Sequence, residues 1–240
     1  DKIAQEIVSS GEVCAEDMVL EVGPGEGMLT KELIKKAKKV IAVEKDERLA
    51  EFLKKKFAKE INDGKLEVVS GDILKFNPSD YQLSAGGYKI IANIPYYITS
   101  YFLRIFLEND NQPSLMVLMV QKEVAERIVG KNNESLLSIS VKAYGEPKII
   151  RKVPASYFSP SPKVDSAVLK ISNISKKFFQ DLSEQKFFET VKKGFSQKRK
   201  MLINNLKTDK SVFTACNIEE KERAESVSLQ QWKCLTFEIK

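Results

Sequence analysis

Asn93-Ile94-Pro95-Tyr96, within the stretch 90–100, holds the residue types best suited to chemistry. Residues 89–92 are apolar and β-branched and predict a buried strand that delivers Asn93. Pro95 has no N–H to give, so the ladder stops there. Ile94 precedes a proline and is held extended, which leaves its carbonyl available beside the Asn93 side chain. Two acceptors and the aromatic face of Tyr96 are thereby expected together at the carboxyl end of a strand. That grouping suits an amine of low nucleophilicity, such as the exocyclic amino group of a nucleobase. Acceptors that bind its N–H bonds turn the lone pair toward an electrophile, while a ring stacked on the base fixes its plane. The same residues would also make an ordinary strand-to-helix turn, with Asn93 as a local cap and Tyr96 and Tyr97 in the core.

Three earlier strands are expected to end in the same way. Residues 18–22 run into Gly23-Pro24-Gly25-Glu26-Gly27, and a helix over 28–36 follows with Leu29, Leu33 and Ile34 buried, the opening of a Rossmann-like sheet. A dinucleotide fingerprint would place its third glycine at residue 28, which is Met28, so a pyrophosphate cradle is disfavoured. Residues 40–43 lead to Glu44, 19 residues after Gly25, where a carboxylate would accept ribose hydroxyls, with Lys45 beside it in the same site. The plainer alternative for Glu44 is an exposed start to a helix over 48–59. Residues 66–70 end at Gly71-Asp72-Ile73, where Asp72 either accepts from an adenine amino group with Ile73 on the ring, or only caps a turn. Four consecutive strands ending at Gly23 and Gly25, Glu44, Asp72 and Asn93 form a recurrence that no single motif supplies.

The 240 residues suffice for one large domain or a large and a small one, and 42% hydrophobic with 30% charged residues is the balance of a soluble globular protein. No apolar run reaches the roughly 20 residues of a membrane helix; the longest, 115–120, is strand-sized. No signal peptide is evident, although a sequence opening at Asp1 is compatible with an upstream segment removed or left out. Cys14, Cys216 and Cys234 make no CxxC pair, which argues against a zinc site or a disulfide framework and fits a reducing cytoplasm. Histidine is absent, which excludes histidine triads and the common histidine metal sites. Of the formal charge of +6, residues 151–240 carry 18 Lys+Arg against 10 Asp+Glu, leaving 21 against 23 for residues 1–150. The basic character of the later part is a footprint for a polyanion, or simply a solubilising surface.

Periodicity adds an amphipathic helix over 1–10 on Ile3, Ile7 and Val8, then a helix over 99–107, a strand over 115–120 and helices over 122–129 and 135–144. A closing antiparallel pair of strands is expected at 148–153 and 166–171. Beyond residue 171 the pattern changes to helices: 176–182, 185–206, and 229–237 with Ser228 and Gln231 as a capping box. On the helix over 185–206, Phe195, Leu202 and Leu206 share a face while Lys192, Lys193, Lys198, Arg199 and Lys200 lie elsewhere, against RNA phosphates or in solvent.

The sequence resembles the class I S-adenosylmethionine methyltransferases and, within them, the rRNA adenine N6-dimethyltransferases. Residues 21–27 are similar to the family's first motif, 93–96 to its catalytic Asn-(Leu/Ile)-Pro-Tyr, and 153–168 to a long signature near the end of its catalytic domain. The likeness covers essentially the whole chain. Lys163 to Val168 and Gly194 to Leu202 resemble the KsgA-type enzymes of small-subunit rRNA more than the Erm-type enzymes of large-subunit rRNA that confer macrolide resistance. The resemblance implies an α/β class I fold with a mostly parallel sheet, residues 1–172 as the catalytic domain, and a small all-helical RNA-binding domain over 173–240. It implies S-adenosylmethionine as cofactor, with Gly23, Gly25, Glu44, Lys45, Asp72, Ile73 and Asn93 around it, and no metal. It also implies Asn93, Ile94, Pro95 and Tyr96 on the target adenine, with Phe158, stiffened by prolines 154, 160 and 162, stacked opposite Tyr96. The implied substrate is two adjacent adenosines near the 3′ end of small-subunit rRNA in an assembling ribosomal subunit, and the protein is expected to be a cytoplasmic monomer without membrane contact. Family members begin with a basic Gly-Gln-x-Phe-Leu-like segment that closes over the cofactor; this sequence starts just after its place, and a protein lacking it is expected to bind the cofactor less well. Two other classes stay open: a non-catalytic RNA-binding assembly factor, and an NAD-dependent oxidoreductase, the latter disfavoured by Met28.

Overall fold

The computed structural model describes residues 2–130, 133–158 and 162–239, and its apolar, β-branched runs form one seven-stranded sheet. The strands are β1 (Met18–Val22), β2 (Lys39–Glu44), β3 (Leu66–Ser70), β4 (Tyr88–Asn93), β5 (Leu115–Gln121), β6 (Glu146–Val153) and β7 (Ser166–Ser172). Their spatial order is β3-β2-β1-β4-β5-β7-β6. The first five are parallel, and β7 runs antiparallel to β5 and β6. The chain winds outward from β1 to β3 and then returns to the other side of β1 as β4. Such a reversal opens a crevice at the carboxyl ends of β1 and β4, where ligands bind in sheets of this kind. Val19, Leu20, Val40, Ile41, Ile90, Ile91, Val117 and Leu118 are wholly buried, since helices cover both faces of a parallel sheet.

Helices α1 (Lys2–Ser10), α2 (Met28–Leu33), α5 (Thr99–Glu108) and α6 (Lys122–Val129) form where periodicity expects them, while the one helix expected over 48–59 is divided at Phe57 (φ −112°) into α3 (Glu47–Lys56) and α4 (Ala58–Asn62). Ile7 and Val8 of α1, Leu33 of α2 and Leu53 of α3 share a core with Val19, Val40, Ile91 and Val117. Because Ser166 at the start of β7 is paired with Gln121 at the end of β5, the connection from β6 to β7 emerges at the sheet's carboxyl edge. That is the edge at which Asn93 ends β4.

The chain divides into two compact units. One comprises the chain to Ala125 with Glu146–Ile174, the other Glu126–Gly145 with everything from Ser175 onward. A single boundary at residue 172 does not describe this division, because segment 126–145 groups with the later helices. Helix α7 (Leu136–Lys142) leads into Tyr144, whose ring lies 5.2 Å from Phe179 and 5.9 Å from Phe188 and whose hydroxyl donates to Glu184 at 2.5 Å. Contacts so distant in sequence leave no local pattern to read.

The second unit continues with α8 (Glu184–Gly194), α9 (Leu202–Leu206), α10 (Lys210–Ala215) and α11 (Leu229–Glu238), the last opened by the expected Ser228–Gln231 capping box. The single helix expected over 185–206 is broken. At Gly194 a Cβ would lie 2.3 Å from Cη2 of Trp232, so only glycine admits the indole, and the chain turns before α9 begins. Buried Asn205 holds that turn, its Nδ2 donating to the carbonyls of Gly194 at 2.6 Å and Gln197 at 3.1 Å. The helix expected over 176–182 is reduced to a 3-10 turn, Lys177–Phe179. The cysteine reading is corrected as well: Cys216 and Cys234 are joined by a disulfide, with Cα atoms 5.6 Å apart where α10 and α11 pack, while Cys14 is free and exposed. Among the described residues no helix is long and apolar enough to cross a membrane.

Candidate active site

The glycine turn after β1 directs its own N–H groups inward. Gly23 donates to the Val43 carbonyl at 3.0 Å, Gly25 to Glu44 Oε2 at 3.0 Å and Gly27 to the Pro24 carbonyl at 2.9 Å. These glycines therefore leave no N–H for a phosphate. Gly25, at φ 57°, instead has nothing within 4 Å of where a Cβ would lie, so a ligand can approach the backbone there. Glu44 is buried, and its Oε1 accepts from the Asp46 N–H at 3.0 Å. Asp46, not Glu44, caps α3 through the Arg48 N–H at 2.9 Å, so Glu44 is no exposed helix start.

Asp72 caps a turn, as one of its expected alternatives had it, and keeps its second oxygen for a side chain. Its Oδ1 accepts from the Leu74 N–H at 3.1 Å, capping a 3-10 turn, while its Oδ2 receives the Lys45 ammonium at 2.9 Å. The hydrogen bond from Lys45 holds the Asp72 carboxyl below its usual range, and Asp72 in turn raises the Lys45 ammonium. Ile73 is buried beside them. This edge thus carries two carboxylates, each with lone pairs beyond those in use, next to an open glycine backbone. Such a donor set matches a cationic ligand bearing hydroxyl and amino groups.

At the end of β4, Asn93 is exposed, and Ile94 buries its side chain as Pro95 turns the chain. The carbonyl oxygen of Asn93 lies 3.6 Å from the Cβ position of Gly23, so the β4 turn and the glycine turn are immediate neighbours. Asn93, Ile94, Pro95, Tyr96, Phe158 and Pro162 line one cleft of ≈ 320 Å³. The Tyr96 hydroxyl lies 2.6 Å from Oγ of Ser166, fixing the ring against the first residue of β7. Phe158 is half-buried: it lines the cleft and also packs against the main core. Pro154 (φ −59°, ψ 146°) and Phe158 (φ −111°, ψ 149°) are extended, whereas Pro160 lies outside the described residues. Tyr97 is 85% exposed and is not a core aromatic.

Lys192 and Lys193 occupy the last turn of α8, exposed. Lys198, Arg199 and Lys200 fall in the turn before α9, where with Gln197 they line a concavity of ≈ 430 Å³. Those three cations are therefore gathered on a turn and not spread along a helix. Among the described residues no group of three or more His, Cys, Asp or Glu is placed to hold a metal.

Glu21, to which the sequence reading gave no role of its own, is wholly buried two positions before Gly23. Neither of its oxygens has a hydrogen-bond partner. Burial pushes its carboxyl up to about 8; the hydroxyl and N–H of Thr30 pull it down without closing a bond, and Glu44 raises it. The available signal was a lone carboxylate inside an apolar strand.

A doubly wound sheet with acidic strand ends and an Asn-Ile-Pro-Tyr turn facing its crevice defines a class I methyltransferase. Residues 1–239 match the family described as Ribosomal RNA adenine dimethylase, and the chain belongs to that family. It is 41% identical over 246 residues to Ribosomal RNA small subunit methyltransferase A of Dehalococcoides mccartyi, covering 98% of this chain and 84% of that protein. The protein of the same name from Fusobacterium nucleatum subsp. nucleatum is 37% identical over 247 residues, with 97% and 90% covered. Among solved structures, a dimethyladenosine transferase from Plasmodium falciparum superposes with a TM-score of 0.81 at 28% identity, covering 99% of this chain and 94% of that one. The 23S rRNA methyltransferase ErmE gives 0.81 at 25% identity, with 99% and 97% covered.

Proposed function

We propose that this methyltransferase converts two adjacent adenosines near the 3′ end of small-subunit rRNA to N6,N6-dimethyladenosine, in the cytoplasm, during assembly of the subunit. The observation that carries the reading is the single cleft shared by the Asn93–Tyr96 turn and Phe158, next to an open glycine turn with two carboxylates beyond it. The small-subunit names of the relatives favour this target over large-subunit rRNA.

S-adenosylmethionine, when bound, supplies a methyl group made electrophilic by its sulfonium. Gly23 and Gly25 would admit it to the backbone, Glu44 would accept its ribose hydroxyls, Asp72 its adenine amino group, and Ile73 and Lys45 would flank the ring. Tyr96 and Phe158 hold the target adenine unstacked between them. The Asn93 side chain and the Ile94 carbonyl accept its N6–H bonds, which turns the lone pair toward the crevice. No strong base is needed, because the alkylated nitrogen gives its proton to solvent. A second transfer needs only room for the methyl already in place. Lys192, Lys193, Lys198, Arg199 and Lys200 would meet RNA phosphates, a contribution that weakens steeply with salt.

The test is methyl incorporation from labelled S-adenosylmethionine into undermethylated small and large ribosomal subunits side by side, with the product nucleosides identified. Dimethyladenosine in the small subunit alone is the expected result. Its appearance in the large subunit alone would move the protein to the resistance-type enzymes, and incorporation into neither would favour a binding factor.

A further inference from the structure

Tyr96 and Tyr97 are consecutive, yet the structure uses them in opposite ways. Tyr96 lines the cleft with its hydroxyl tied to Ser166, whereas Tyr97 is 85% exposed. The 3-10 turn Tyr96–Ile98 leads directly into α5, whose inner side buries Phe102, Leu103, Phe106 and Leu107. Four residues beyond Tyr97, Tyr101 is 55% exposed. Tyr101 lies in the first turn of α5, directly after the 3-10 turn that carries Tyr97. A single bare aromatic ring on a surface needs no explanation, but two in a row, starting at the residue after one that lines the cleft, form a ledge.

The Lys45 ammonium lies close enough to Tyr97 for the two groups to act on each other electrostatically, and its side chain is 72% exposed. That ammonium is held by Asp72 at 2.9 Å. Exposed rings that adjoin a cleft shaped for a base suit an unpaired nucleotide, whose base stacks on them.

We propose that Tyr97 and Tyr101 form a stacking ledge for the unpaired nucleotide next to the target adenosine. The proposal rests on the RNA substrate proposed above and adds to that site a residue that selects for unpaired RNA. Stacking is indifferent to base identity, so the ledge reads single-strandedness, not sequence.

The experiment compares Tyr97→Ala, Tyr97→Phe, Tyr97→Leu and Tyr101→Ala in the full chain. Methyl transfer is measured to undermethylated small subunits, affinity for S-adenosylhomocysteine by calorimetry, and binding of a short unpaired RNA carrying 2-aminopurine by its quenching. Loss of a stacked base corresponds to roughly five- to hundred-fold in affinity. The alanine at 97 is expected to raise KM for the subunit about tenfold at constant salt dependence and to lose the quenching. Phenylalanine should restore both and leucine neither, with S-adenosylhomocysteine affinity within about twofold throughout. An unchanged KM, or leucine serving as well as phenylalanine, would overturn the proposal. Loss of S-adenosylhomocysteine affinity in step with KM would assign the ring to covering the donor. Weaker subunit binding with unchanged oligonucleotide binding would assign it to a protein contact. A wild type that transfers no methyl group would count against the proposed reaction, while the quenching titration still decides the ledge.

Discussion

Replacing Glu21 by glutamine should change how stability depends on pH. The carboxyl is fully buried with neither oxygen hydrogen-bonded, and its pKa rises from 4.5 to about 8. Between those values the unfolded chain has released its proton while the folded protein keeps it, so folding takes up a proton. The stabilising term is complete below pH 4.5, declines as pH rises, and is gone once pH passes about 8. The slope is about 1.4 kcal/mol per pH unit, and the whole window amounts to at most roughly 5 kcal/mol, because water drawn to an ionised carboxylate would reduce it. Glutamine has no proton to exchange. Urea unfolding of both proteins at intervals from pH 5 to 9 should show the wild type losing stability relative to Glu21→Gln by more than a kilocalorie per unit, then levelling off. Parallel stability curves would refute the reasoning and require Glu21 to be ionised in the fold.

The glycine turn separates stability from donor binding. At Gly27, φ is 81° and a Cβ would lie 2.6 Å from Phe57 and 2.8 Å from Leu53, so Gly27→Ala should cost about 3 kcal/mol in urea denaturation. Gly25→Ala meets no atom within 4 Å and should cost only about 1–2 kcal/mol of strain, yet calorimetry should find S-adenosylhomocysteine affinity largely lost. Tyr96→Phe strands the buried Ser166 hydroxyl at about 1–3 kcal/mol, and a double-mutant cycle with Ser166→Ala should recover most of it. Asn93→Ala should abolish methyl transfer while filter binding finds RNA affinity nearly intact; turnover at the wild-type rate would remove Asn93 from the proposed chemistry. Asn205→Ala releases the carbonyls of Gly194 and Gln197, and should lower both unfolding stability and the RNA affinity attributed to Lys198, Arg199 and Lys200.

The first unit was legible because its signals are local. Each of the first four strands is an apolar run that ends at a glycine, a carboxylate or Asn93, and the winding of a doubly wound sheet then brings those ends to one edge without further information. What escaped depends on contacts across the chain. Gly194 ends a helix because Trp232 lies against it, 38 positions later in the sequence, and nothing in 185–206 announces that. Tyr144 draws its segment away from the sheet unit through Phe179, Phe188 and Glu184. Cys216 and Cys234 meet only because α10 packs on α11. The partners of Asp72 and the opposed orientations of Tyr96 and Tyr97 are likewise settled by neighbours, since periodicity does not distinguish two adjacent tyrosines in a turn.

The reversed direction of β7 has a consequence for how a catalytic fold can change its target. Both ends of the Phe158 loop are anchored in one hairpin, and its described residues contribute no rung to the sheet. A cassette of this kind can be lengthened, shortened or exchanged between relatives while the strand pairing, and the crevice beneath it, stay as they are. The wall of the cleft that Phe158 supplies can then diverge by replacement of a short insert, not by renovation of the sheet.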